Sequence, residues 1–250
     1  MSIDTVNTMP LDIGEVLGDT FAVIKRKFVL LANLAVLFVA IPAAINIAGV
    51  ALSSVSPVFG VLALVGQLAT AVGLLLAYAA IFQVAMQDLH GQPVATDGLI
   101  RAAAGKFWAL LGLVLLLGLG VVAGVMLLIV PGVVLAMAWS VAMPALVLED
   151  RGVFSAFGRS LALTRGKRWS IFLLFFIVWL VSFIAELVLI ILFGGFQAFV
   201  ARQTSLVGTV VLQMLGVIAA PFWAVMTTSL FNRLRGNAGY GAEAVAEVFA

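Results

Sequence analysis

Few side chains in this sequence are of a type that does chemistry, and their spacing narrows what that chemistry could be. There is one histidine, His90, two residues after Asp88, and no cysteine. A metal centre needs several converging ligands at short spacings, and no such spacing occurs. The lack of cysteine also removes disulfides, thiolate sites and thiol nucleophiles. Glycines are frequent but fall inside long apolar runs, as in Gly120-xxx-Gly124, where close helix packing is their usual role. Glu149-Asp150 is a carboxylate pair placed to complement the positive end of a following helix rather than to share a proton. No cofactor is expected, and an enzymatic role is not.

Glu186 stands apart, because it interrupts an otherwise apolar run. A carboxylate at the centre of a bilayer costs about 2.5–3.5 kcal/mol on insertion scales, less nearer an interface, so such a residue normally faces a bundle or a wet cavity. Counted at 1.5 Å per residue from the end of its run, Glu186 lies about 10 Å deep. Asn46, Gln67 and Gln213, counted the same way in three other runs, lie at about 8, 13 and 12 Å. Four polar side chains thus share one layer on the outer side. Two roles remain open for it: glue between helices, with Glu186 protonated or paired with Arg202, and a polar pocket or pathway.

The elements that must position these groups follow from composition. Of 250 residues, 64% are hydrophobic and 10% charged, with mean hydropathy +1.27. A soluble domain carries about 25% charged residues, so lipid must be part of this chain's solvent. Apolar runs fall at 28–52, 58–86, 107–130, 132–148, 169–193 and 205–231. They predict an all-α integral membrane protein with six spans in one domain, residues 1–236, followed by a short cytoplasmic tail, 237–250. The fourth run is short and holds Pro144; Val130-Pro131-Gly132 reads as the tight turn before it. Residues 1–12 hold two aspartates and no basic residue, so no signal peptide is expected.

Charge placement supports the count. With a cytoplasmic N-terminus, the inner segments hold Lys25, Arg26, Lys27, Arg101, Lys106, Arg151, Arg159, Arg165, Lys167, Arg168, Arg233 and Arg235, and the outer loops only Arg202. That is the positive-inside pattern, and it assigns the net charge of +2 to topology rather than to nucleic acid. Joining the third and fourth runs into one span would put five of these basic residues outside.

The inner segments also show helical periodicity. Ile13, Val16, Leu17, Phe21, Ile24 and Phe28 mark an amphipathic helix over 13–27, with Asp12 and Glu15 as an acidic capping box and Leu11 and Val16 at staple spacing. A weaker segment runs over 97–106 through Ile100, Ala103 and Phe107. A third runs over 153–166 through Phe154, Phe157 and Leu161. Each is followed by a basic residue and an aromatic, then by two spans. The layout predicts three hairpins, each preceded by a cytoplasmic interfacial helix, with parallel duplication and simple interfacial chemistry both able to explain the likeness.

Residues Pro131-Gly132, Trp139, Pro144-Ala145, Glu149, Gly152, Ala156, Arg159-Ser160, Thr164-Arg165-Gly166 and Trp169 resemble the core pattern of the glycerophosphoryl diester phosphodiesterase membrane-domain family. They are also similar to related bacterial inner-membrane families of the same topology. The resemblance implies a bacterial plasma-membrane location. In some relatives a soluble barrel follows and carries the catalytic acids, histidines and metal; here about 20 residues follow the last span, so no phosphodiesterase activity is expected, and no site residue carries over.

Two function classes fit. One is a non-enzymatic module that binds membrane lipid, anionic headgroups included, or anchors a protein partner at its cytoplasmic face through Arg159, Arg165, Lys167 and Arg168. The other is a transporter or channel for a small solute or lipid through the layer of Asn46, Gln67, Glu186 and Gln213. The first is favoured because most of the distinctive polar sequence lies in the inner segments.

Overall fold

The computed structural model describes residues 11–94, 98–200 and 206–248. It is all-helical, with no strand among the described residues, and six of its helical segments are long and apolar enough to cross a membrane: Ile13–Leu52, Val58–Leu89, Phe107–Leu127, Ile129–Leu148, Arg168–Leu189 and Gly208–Gly236. Its surface is that of a multi-pass membrane protein. Leu115, Leu119, Val122, Met126, Val181 and Ile218 lie exposed on these helices, where water would make the apolar area prohibitive and lipid does not.

Helix α1 (Ile13–Ala35) starts at Asp12, whose Oδ1 accepts from the backbone N–H of Gly14 at 2.8 Å and of Glu15 at 3.2 Å. The expected amphipathic helix is therefore continuous with the first span, and a kink at Lys27 (φ −111°, ψ 20°) separates them. The span then passes through a π-helical turn, Val36–Ala40, into α2 (Ile41–Leu52). Pro42 explains the turn: it has no N–H for the Phe38 carbonyl, and a wider turn accommodates the loss. Helix α3 (Val58–Leu89) packs along this segment through small residues. Gly49 meets the Ala63 backbone, Gly66 the Asn46 backbone, and Gly73 the Phe38 carbonyl. At its other end α3 forms the centre of the core, with Ala77, Ala79, Ala80, Ile81, Phe82, Val84 and Ala85 fully buried.

The short α4 (Leu99–Gly105) buries Leu99 and Ala103 and leaves Ile100 exposed. Helix α5 (Phe107–Leu127) doubles back at Leu128, the extended residue of the turn, not at Val130-Pro131-Gly132. Pro131 falls in the first turn of α6 (Ile129–Ala138), where a missing N–H costs nothing. The fourth span is broken at Trp139–Val141 and resumes as α7 (Ala142–Leu148). The Ala138 carbonyl at the break accepts from the hydroxyls of Ser160 (2.8 Å) and Thr164 (3.2 Å) in α8 (Val153–Thr164).

Helix α8 thus buries Ala156, Ser160, Leu163 and Thr164, while Phe154 and Leu161 point away from the protein. The stripe read from the sequence as one apolar face is split: Phe157 packs on Trp139, ring centroids 4.8 Å apart, and the other two face outward. Helix α9 (Arg168–Val200) packs against α10 (Leu206–Val248) with Phe175 stacked on Trp223 at 5.6 Å. Helix α10 continues to Val248, through most of the residues read as a tail, and its Arg233 and Phe222 contact α1.

Candidate functional site

Three of the four polar residues singled out above come together. Asn46 in α2, Gln67 in α3 and Gln213 in α10 line a cavity of about 410 Å³, with Thr209, Val50 and Leu212. Counted from Leu52, Val58 and Leu206, they lie about 9, 14 and 11 Å from the loop ends of their helices. Asn46 is 7% exposed. Its Nδ2 donates to the Ala63 carbonyl at 2.8 Å, and its Oδ1 accepts from Gln213 Nε2 at 3.1 Å. The close approach at Gly66 brings Asn46 against α3. Glu186, half-buried on α9, is not among the described residues lining this cavity. Arg202, the partner considered for it, lies outside the described residues. The amide layer exists as a geometric feature without Glu186 in its wall.

The basic end is organised by ion pairs. Arg26 donates to Asp88 from Nε (2.9 Å) and Nη2 (2.7 Å), and Lys27 sits 3.5 Å from the same carboxylate. Lys106 pairs with Asp150. Glu149 accepts from Arg151 at 2.5 Å and from Arg159 at 3.0 Å. Arg233 reaches Asp19 at 2.7 Å and also Glu15. His90 Nε2 lies 3.1 Å from Asn232 Oδ1, a tie between the ends of α3 and α10. Glu149 therefore does not cap α8, whose N-cap is Gly152 with no side-chain cap. Burial pushes the Glu149 carboxyl up, but hydrogen bonds and charge from Arg159 and Arg151 outweigh it and hold the group below the usual carboxylate range.

The four basic residues proposed as one face are not equivalent. Arg159 is held by Glu149, whereas Arg165, Lys167 and Arg168, within four residues at the α8–α9 turn, have no carboxylate partner among the described residues. Arg165 is exposed and follows α8 directly; Gly166 turns the chain at φ +79°. Lys167 is 9% exposed, and burial alone lowers its pKa. The Arg168 Nε is buried without a hydrogen-bond partner. Trp169 beside it is 84% exposed. Lys25, Arg101 and Arg235 are also without ion pairs among the described residues, but none of them neighbours another such cation in sequence.

Sequence reasoning did not find Thr209 in the cavity wall, nor the pairing of Arg159 with Glu149. Their ten-residue separation was a weak signal for the second, since a basic residue at the same turn suits lipid equally well. Compared with known proteins, the chain matches no family model, no curated protein and no solved structure.

Proposed function

We propose that this is a non-enzymatic multi-pass protein of a bacterial inner membrane that holds an anionic lipid headgroup at the α8–α9 turn on its cytoplasmic face. The reading places both termini in the cytoplasm and divides the chain into three units, each an inner helix followed by a hairpin of spans. The observation that carries it is a difference between the units. In the first, the cations opening the hairpin, Arg26 and Lys27, both pair with Asp88 at its close, which offsets one of their two charges. In the second, Lys106 is neutralised by Asp150. In the third, Lys167 and Arg168 open the hairpin and Arg233 and Arg235 close it, so no acid stands in the equivalent position. Arg233 is engaged by α1 instead.

A buried Lys167 beside a half-buried Arg168 whose Nε lacks a hydrogen bond, with no carboxylate on either among the described residues, is unfavourable in the protein alone. A lipid phosphate supplies the missing charge, and guanidinium and ammonium groups are its usual donors. The exposed Trp108, Trp169 and Phe28 at the starts of three spans suit the headgroup boundary. The resemblance carried by residues 131–169 covers this same turn and adds support for the membrane assignment. The pathway reading has less to rest on, because Glu186 is not among the described cavity-lining residues.

The test compares lipid retention. Each basic side chain near an anionic surface contributes about 1 kcal/mol before screening, so Arg165→Gln, Lys167→Gln and Arg168→Gln together should weaken phosphatidylglycerol binding by about two orders of magnitude at low salt. Salt sensitivity should fall with it. Binding that is unchanged across salt would refute the site. Orientation has its own check in this cysteine-free chain. A cysteine at Ser54 should react with an impermeant thiol reagent on intact cells, and one at Ser155 only after lysis; the reverse result would invert the topology.

A further inference from the structure

We infer that the cavity between α2, α3 and α10 is a second site, taking the neutral hydrogen-bonding part of a glyceride lipid: a free hydroxyl beside an ester carbonyl, on apolar chains. The described lining residues include no ionisable side chain: three are amides, one is a threonine, and Val50 and Leu212 are apolar. A charged ligand at this depth would find no counter-charge among them and would be expensive to bury. A neutral polar group would not.

The amides differ in what they offer. Asn46 is committed, donating to Ala63 and accepting from Gln213. That pair forms a fixed floor, since Gly66 packs directly beneath Asn46. Gln67 is exposed and has no hydrogen-bond partner among the described residues. Its amide presents two donors and one acceptor about 14 Å from the end of α3, a depth at which the surrounding hydrocarbon offers no partner and an unmade bond is costly. A hydroxyl next to an ester carbonyl answers both functions at once. Diacylglycerol has this pair and no charge, and the volume of about 410 Å³ is within the usual range for small-ligand sites, about 300–1,000 Å³. Leu64, one helical turn from Gln67 on the same side of α3, is an exposed apolar residue, and with Val50 and Leu212 in the lining it suits acyl chains better than a water-soluble solute.

The experiment uses the full chain in maltoside micelles with a photoactivatable diacylglycerol. Labelling should map to α2, α3 or α10 near the cavity, and excess unlabelled diacylglycerol should abolish it while glycerol does not. Gln67→Leu should weaken labelling about tenfold, the scale of one lost hydrogen bond. Gln67 makes no hydrogen bond among the described residues, so this variant is expected to keep the fold, checked by its thermal midpoint. Gln67→Asn, which keeps the amide, should retain most of the labelling. The inference is overturned if labelling is unchanged in Gln67→Leu, or if it resists competition. It is also overturned if glycerol alone competes, which would make this a solute site. A wild-type dimer that Gln67→Leu converts to monomer would mean that a second copy occupies the face.

Discussion

Gly73→Ala is expected to destabilise the protein by about 3 kcal/mol, the upper end of what overpacking costs. A Cβ at that position would overlap the Phe38 carbonyl oxygen outright and lie 2.8 Å from the carbonyl carbon. Neither atom belongs to a flexible side chain, so relief requires α3 to move away from the π-helical turn. That turn cannot simply retreat, because Pro42 has already removed one of its hydrogen bonds. Gly60→Ala on the same helix is the internal control. Nothing lies within 4 Å of its Cβ, so the variant should gain about 0.5–1 kcal/mol from helix propensity. Thermal midpoints of the two variants in one detergent check the pair. Equal midpoints would mean that the α2–α3 contact is looser than described.

Arg159→Gln should cost about 1–3 kcal/mol, between the small value of an exposed ion pair and the 3–5 kcal/mol of a fully buried one. Glu149 has a side chain only 12% exposed, and Arg159 is 28% exposed, so the carboxylate is left with Arg151 in a poorly solvated place. The same pair gives a pH signature. Because the folded-state pKa of Glu149 is depressed, its contribution is fully present above the unfolded value of about 4.3. It is lost as pH falls through the lower folded value. Wild-type stability should therefore drop below about pH 4.3 by more than that of Glu149→Gln. Parallel pH profiles would show that Glu149 adds no such linkage. A large loss in Arg159→Gln with unchanged lipid binding would also confirm that this arginine supports the fold, unlike its three neighbours at the turn.

What the sequence made legible follows from which forces are local. Six segments could be read because membrane crossing depends on length and hydropathy alone. The Asp12 cap was readable because the side chain bonds backbone two and three residues away. The break at Trp139–Val141 was not, since the hydroxyls that satisfy Ala138 come from residues 22 and 26 positions later. The ion pairs Arg26–Asp88 and Arg233–Glu15 span 62 and 218 positions, beyond any periodicity. Helical spacing identified an apolar side of α8 through Phe154 and Leu161, but in a membrane that side can face lipid, and here it faces away from the protein. Depth counting placed Asn46, Gln67 and Gln213 near one level. It could not say that Glu186, on another helix at similar depth, stands apart from the described wall of their cavity.

The lipid site at the α8–α9 turn is tested most directly by thermal midpoints with and without phosphatidylglycerol in a neutral detergent. A ligand at a hundredfold its Kd stabilises by about 2.7 kcal/mol, which is a rise of about 5–10 °C for a chain of this size. Lys167 is central, because burial lowers its pKa and, with no carboxylate partner among the described residues, opposes folding until an anion arrives. Lys167→Met should therefore start at or above the wild-type midpoint in neutral detergent and gain far less from the anionic lipid. Phosphatidylcholine should raise neither protein by that amount. An equal phosphatidylglycerol-dependent rise in wild type and Lys167→Met, or a Lys167→Met midpoint well below wild type before lipid is added, would contradict the account.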